Sequence, residues 1–293
     1  MSTENRKLPE VIRDPKELQT RLAALRQQGK TIGLVPTMGA LHLGHVSLAI
    51  AAKEDCDVSV VSVFVNPKQF APNEDYDQYP RTLDADLELL SHVGTDFVFA
   101  PSPAEMYPRR FDASVHIGGV TKRLEGEFRP THFDGVATVV LKLFLITGAN
   151  VAFFGQKDFQ QVAVIRQMVR DLNVPIEIIS CPIIREKDGL AMSSRNKYLD
   201  PKERKNALVL YEALGQAEFM IHSGTRNAEA VRAELRRLIE AVPDAKVDYI
   251  SIADPETLLE VENIAGNVVV LLAVRIGQTR LIDNMVIEPA PAP

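Results

Sequence analysis

The sequence predicts an α/β protein: a doubly wound parallel sheet in residues 1–183, then a smaller α+β domain over 184–293 with helices and an antiparallel sheet. Three patterns lead there. Short β-branched runs at 31–35, 58–65, 96–100, 151–154 and 176–180 alternate with helical segments. After residue 184 the order changes, to two helical stretches and then three strand-like runs. Finally, the sharpest polar clusters, 36–45, 66–69 and 155–158, each follow an apolar run directly. In a parallel sheet that is the carboxyl end of a strand, where ligands bind.

The elements follow in order. Asp14-Pro15-Lys16-Glu17 has the residues of a capping box with proline at the first helical position, and Leu18, Leu22 and Leu25 mark one face before Gly29 ends the helix. The strand at 31–35 leads to a helix from about Gly44 to Asp55, and Val58–Val65 has the apolar run of a strand buried on both faces. Residues 66–80 form a long polar loop, a common home for function. Thr82 opens a helix with Leu83, Leu87 and Leu90 on one face; 134–147 is a strongly apolar helix, and Asp158 opens another to about Leu172. In the second domain, 201–222 and 226–241 predict helices, and 247–252, 268–275 and 280–287 predict strands, the last two joined across Ile276-Gly277-Gln278-Thr279 as a hairpin. The tail at 289–293 is proline-rich and expected to be disordered.

A chain of 293 residues can bury two cores. Its net charge of -6 argues against nucleic acid as the main partner, which needs a basic face. Cys56 and Cys181 have no framework spacing, the start MSTENRKLPE carries no signal peptide, and the apolar run Val268–Val274 is too short to span a bilayer. A cytoplasmic protein that binds no membrane is expected.

Four clusters carry chemistry. In Pro36-Thr37-Met38-Gly39-Ala40-Leu41-His42-Leu43-Gly44-His45, two histidines stand at the mouth of a helix. A helix start offers unpaired N–H groups to phosphate, the histidines add donors, and the glycines permit close approach. That suits a triphosphate better than a metal; alone, the pair reads equally as capping histidines. Met192-Ser193-Ser194-Arg195 supplies two hydroxyls and a guanidinium for phosphate oxygens, or is an ordinary polar loop. Gly155-Gln156-Lys157-Asp158 turns at a strand end, with Lys157 as a point charge and Gln161 one helical turn on, or with Asp158 a plain N-cap and Lys157 a solvated residue. Asn66 and Gln69 can recognise a hydroxyl or carboxylate without bringing charge, or merely form a turn.

The histidine and serine–arginine clusters together resemble the HIGH and KMSKS pair of the nucleotidyl-transferase superfamily. PTMGALHLGH, SVFVNPKQF, YPRT, RPTHFDGV, FFGQKDFQQ and DGLAMSSRNKYL stand in the order and spacing of the pantothenate synthetase (pantoate–β-alanine ligase) family. The resemblance implies a Rossmann-like N-terminal domain, a C-terminal lid domain, a cytoplasmic homodimer, and ATP-dependent condensation of pantoate with β-alanine to pantothenate, AMP and diphosphate through pantoyl adenylate. It implies ATP contacts at Met38, Gly39, Ala40, Leu41, His42, Leu43, Gly44 and His45, with His45 as proton donor and His42, Lys157 and Arg195 beside it in catalysis. Further ATP contacts fall at Gly155, Gln156, Lys157, Asp158, Ile184, Met192, Ser193, Ser194 and Arg195. Gln69 and Gln161 would hold pantoate, and Gln69 also β-alanine. Mg²⁺ is associated with the acidic run after YPRT, which Ala85 interrupts here; Asp86 is the candidate ligand, or a first-turn helix acid. Gln156 and Phe159 stand where many members have glutamate and tyrosine. His132 either lines the pantoate pocket or caps the helix at 134. Gly189, beside Asp188 near the domain junction, is a candidate hinge. A nucleotidylyltransferase that keeps the nucleotide on its product, an aminoacyl-tRNA synthetase and a non-catalytic nucleotide sensor are the competing readings.

Overall fold

In the computed structural model, residues 7–72 and 74–290 are described; the polar start at 1–6 and the end of the tail at 291–293 lie outside them. By contacts the chain divides into two compact units, Met1–Gly155 with Val164–Pro182, and Gln156–Ala163 with Ile183–Pro293. The segment 156–163 thus groups with the C-terminal residues, unlike in a division at 183 alone.

The first unit holds strands β1 (Glu10–Ile12), β2 (Ile32–Thr37), β3 (Val58–Val63), β4 (Phe97–Phe99), β5 (Val151–Gly155) and β6 (Glu177–Cys181). They form one sheet in the order β1-β4-β3-β2-β5-β6, with every pairing parallel. Strand β1 is three residues long and has no alternation to announce it; it pairs Glu10–Ile12 with Phe97–Phe99 at the edge. Helices α1 (Pro15–Gln27), α2 (Leu43–Asp55), α3 (Leu83–Val93), α4 (Pro103–Met106), α5 (Glu125–Phe128) and α6 (His132–Thr147) connect the strands, and α7 (Phe159–Asp171) follows β5. Asp14 caps α1 by accepting from Glu17 N at 2.8 Å, with Pro15 at the first position.

From β2 the chain steps outward to β3 and β4, then returns to the other side of β2 for β5 and β6. The strand order therefore reverses between β2 and β5. These two pair only at Gly33↔Val151 and Leu34↔Ala152, although β2 continues to Thr37 and β5 to Gly155. Their carboxyl ends run on without pairing to each other, where the turn that follows Thr37 begins.

In the second unit, α8 (Pro201–Asn206), α9 (Val209–His222) and α10 (Ala228–Glu240) precede β7 (Ala245–Ala253), β8 (Val268–Ile276) and β9 (Thr279–Ile287), an antiparallel sheet in that order. The single helix expected over 201–222 is broken at Ala207-Leu208. Helix α8 buries no residue, whereas α9 buries Val209, Leu210, Ala213, Leu214, Ala217 and Ile221, so the break turns an apolar stripe inward after a polar turn. The β8–β9 hairpin closes on Gly277 and Gln278, with Gly277 at φ +57 and Ile276 paired with Thr279.

Asp188-Gly189, the candidate hinge, is a tied turn. Glu186 N bonds Leu190 O at 2.8 Å, Arg185 pairs with Ala191, and Arg204 holds Asp188 at 2.9 Å. Gly189 lies at φ +99 and a Cβ there would run into the Tyr211 ring, so both conformation and space demand glycine.

Candidate active site

The turn after β2 bends through Gly39 at φ +81 and Ala40 at φ +50. Several of its bonds are local. Gly39 N donates to Thr37 Oγ1 at 3.1 Å, His45 N to His42 O at 2.8 Å, and Gly44 N to His42 Nδ1 at 3.1 Å. His42 N in turn reaches His45 Nδ1 at 3.4 Å, so the two histidines form a reciprocal capping box on α2. Their rings lie 4.1 Å apart between centroids. The backbone donors at this helix start are thus partly engaged: Gly44 N by a histidine nitrogen and His45 N by the His42 carbonyl. An imidazole accepting at Nδ1 carries its neutral-state proton on Nε2.

Asp86 completes the turn. Its carboxylate is 1% exposed and accepts from Ala40 N at 3.0 Å, Leu41 N at 2.8 Å and Thr82 Oγ1 at 3.2 Å. Both oxygens thus serve the turn, and Asp86 also stands in the first turn of α3. Among the described residues no group of three or more His, Cys, Asp or Glu side chains could hold a metal ion. Among the described residues there is therefore no cage of protein ligands for Mg²⁺.

Gln69 ends a short 3-10 turn, Pro67–Gln69, that is capped by Asn66. Asn66 is 1% exposed. It accepts from Tyr107 OH at 2.7 Å and donates to Gly135 O at 3.1 Å and Gln69 Oε1 at 3.0 Å. Burial pushes the Tyr107 hydroxyl pKa up and keeps it a donor. With Oε1 held, Gln69 presents its Nε2–H group, which lies 3.1 Å from Met38 Sδ. Gly135 lets α6 close on this turn, since a Cβ there would run into the Lys68 carbonyl.

The backbone of Gln69 is clamped as well. His132 Nδ1 donates to Gln69 O at 2.9 Å, and Arg129 Nη2 reaches the same oxygen at 3.3 Å. Arg129 is fixed by a bidentate pair with Glu74, both contacts 2.6 Å, and its Nη1 stands 3.3 Å from His132 Nε2. Burial first, and the Arg129 charge second, lower the His132 pKa to about 4. His132 is thus neutral; it is the first residue of α6 rather than its cap, which is Thr131, and it holds the Gln69 carbonyl. Glu74 and Arg129 were not singled out from sequence, although Arg129 belongs to RPTHFDGV.

In the second unit the candidate residues form two groups. Gln156–Asp158 is a 3-10 turn leading into α7, and Asn284 Nδ2 donates to the carbonyls of Gln156 and Lys157, each at 2.9 Å. Gln161 lies half-buried in the first turn of α7. In the other group, Met192 N bonds Ile184 O at 2.9 Å, and Asn196 Nδ2 donates to Ala191 O at 3.1 Å and Glu186 Oε1 at 2.9 Å. Ser193 caps the 3-10 helix Ser194–Tyr198 by accepting from Arg195 N at 3.3 Å, leaving Ser194 and Arg195 in its first turn. Asn284 escaped the sequence reading, yet a signal was there: Asp283-Asn284 interrupts an apolar strand, and both side chains are buried. Cys56 and Cys181 are free and buried, and burial pushes both thiols up, away from the reactive thiolate.

A pantothenate synthetase from Moorella thermoacetica is 54% identical over 267 residues, covering 91% of this chain and 94% of its own. The structure of pantothenate synthetase from Thermus thermophilus superimposes with a TM-score of 0.91 at 44% identity, covering 96% of this chain and 100% of that one. That of pantoate–β-alanine ligase from Francisella tularensis, solved with β,γ-ATP and β-alanine, gives 0.79 at 38% identity, over 97% of this chain and 100% of its own. No helix among the described residues is long and apolar enough to cross a membrane. The pantoate–β-alanine ligase family profile matches residues 10–286, and the chain belongs to that family.

Proposed function

We propose the route by which this ligase joins pantoate and β-alanine into pantothenate. Pantoate's carboxylate attacks the α-phosphorus of ATP, diphosphate leaves, and pantoyl adenylate forms. The amine of β-alanine then attacks the acyl carbon, loses a proton, and expels AMP. Neither step needs a protein nucleophile; both need alignment and donors aimed at developing charge. The observation that carries the reading is the histidine capping box, which sets the rings of His42 and His45 at the carboxyl end of β2. The Francisella ligase solved with β,γ-ATP and β-alanine supports both as substrates here.

Residue by residue, Met38–His45, Gly155–Asp158, Ile184 and Met192–Arg195 contact ATP. His45 is the proton donor, and His42, Lys157 and Arg195 stabilise the phosphoryl transition state. Gln69 and Gln161 hold pantoate, and Gln69 also faces β-alanine. The first unit serves as the ATP- and pantoate-binding domain and the C-terminal residues as a lid over a hydrolytically labile intermediate. Mg²⁺ would be supplied with the triphosphate and would neutralise part of its charge, without a cage of protein ligands. A cytoplasmic homodimer completes the proposal.

The test is isotope exchange. Labelled diphosphate incubated with enzyme, ATP and pantoate should enter ATP without β-alanine. Label that appears without pantoate, or only with β-alanine, would overturn the adenylate route.

A further inference from the structure

Asn284 lies on β9, 2% exposed, far along the chain from every cluster that sequence marked for chemistry. Its Nδ2 spans the carbonyls of Gln156 and Lys157 at 2.9 Å each. The orientation of the amide follows from the partners: a flipped amide would set Oδ1 against two acceptors. Oδ1 itself is buried without a partner in the structure. An unsatisfied buried oxygen is costly, so an apolar residue would serve β9 better unless the two N–H bonds were needed.

The backbone beneath Asn284 is fixed in turn. Asp283 Oδ1 accepts from Asn284 N at 2.8 Å, and Arg185 grips the Asp283 carboxylate at 2.6 and 3.0 Å. The Arg185 guanidinium lies 4.8 Å from the centre of the Tyr211 ring. Neighbouring residues on a strand point to opposite faces, so Asp283 ties β9 on one side while Asn284 reaches the Lys157 turn on the other.

We infer that Asn284 is a positioning residue for ATP chemistry, setting the backbone of Gln156 and Lys157 and through it the place of the Lys157 ammonium. The inference rests on Lys157 being a phosphate contact. Two carbonyls held by one planar amide fix both the height and the rotation of the turn. Losing them frees a long side chain whose value depends on placement.

The test is a double-mutant cycle on the whole chain. Asn284→Ala should lower kcat/KM for ATP about 10- to 100-fold, the scale of a roughly 1 Å misplacement, and leave KM for pantoate within about twofold. In the Lys157→Ala background the same change should add almost nothing, because its route of action is already gone. If the two losses multiply, or if pantoate KM rises with that of ATP, Asn284 is only a structural residue and the inference fails. Wild-type activity in Lys157→Ala would instead sink the reading of Lys157 itself. Should Asn284→Ala lose its near-ultraviolet circular dichroism, the isosteric Asn284→Asp, lacking both donors, takes its place. Without any variant, the Asn284 side-chain amide protons should exchange slowly by NMR in the wild-type protein; fast exchange would show that the two bonds are not kept.

Discussion

The histidine turn keeps its bonds short in sequence, whereas the Lys157 turn borrows them from far away. Gly39 and Gly44 bond two residues away and His45 three, with Asp86 the main outside support. Gln156 and Lys157 depend on Asn284, 128 and 127 positions downstream. Both turns are proposed to meet the same nucleotide. A locally capped turn forms with its helix and resists change elsewhere; a remotely anchored one can be disabled from a strand that touches no substrate.

The largest expected effects come from removing the donors themselves. Lys157→Ala should lower turnover about 10²–10³-fold, as loss of one electrostatic donor does, with the melting temperature unchanged. His42→Ala should match that loss in rate but also cost about 1 kcal/mol of stability, because the ring caps α2. Steady-state kinetics beside calorimetry would separate the two. A His42→Ala protein as stable as wild type would break the distinction between the turns.

Next comes the clamp on Gln69. The His132 pKa falls from 6.5 unfolded to about 4 folded, so the unfolded chain binds the extra proton between those values. Stability is therefore complete above about 6.5 and is lost as pH falls through about 4, by roughly 3 kcal/mol at about 1.4 kcal/mol per unit. Glu74 facing Arg129 adds a loss in the same direction: burial raises its pKa, but hydrogen bonds and charge from Arg129 outweigh that and hold it below the usual range. In His132→Gln the melting temperature should vary less between pH 6.5 and 4 than in wild type. Parallel pH curves would refute the clamp.

Asp86→Asn asks what supports the first turn. One amide oxygen can replace one carboxylate oxygen, but its NH₂ then faces a backbone N–H. The expected loss is about 2–3 kcal/mol, the scale of a hydrogen bond to a buried charge left unmade. Because Asp86 serves the turn, half-activation by Mg²⁺ should not move. A Mg²⁺ requirement raised tenfold in a stable variant would favour the metal-ligand reading.

What sequence disclosed follows the same division. The β2-turn-α2 unit, the apolar helix near 134–147 and the β8–β9 hairpin depend on residues close together, and periodicity and turn chemistry reveal them. Strand β1 has no stability of its own and exists only through its register with β4. Asp86 stands out in sequence through its place in the acidic run that the family associates with Mg²⁺, but the two amides it holds lie 45 and 46 residues away. Lys157 was legible as a charge; Asn284 was legible only as a polar intrusion in an apolar strand, with nothing to say what it faced.

The two glutamines sharpen the contrast most directly. Hydrogen bonds to a charged group are worth about 1.5–3 kcal/mol, which sets the range for both pantoate contacts. Gln69 is preorganised: Asn66 holds its oxygen, while His132 and Arg129 hold its carbonyl. Ordering its side chain costs little on binding, so Gln69→Ala should weaken pantoate by the upper part of that range, roughly 100-fold. Gln161 sits half-buried on the first turn of α7. Without such a cradle it must be ordered when pantoate arrives, and part of its bond energy is spent on that. Gln161→Ala should therefore lie near the lower end, about tenfold. Calorimetric titration of pantoate into each variant decides the matter: a larger loss at Gln161 would mean that preorganisation does not set the ranking, and unchanged affinity in both would remove them from the pantoate site.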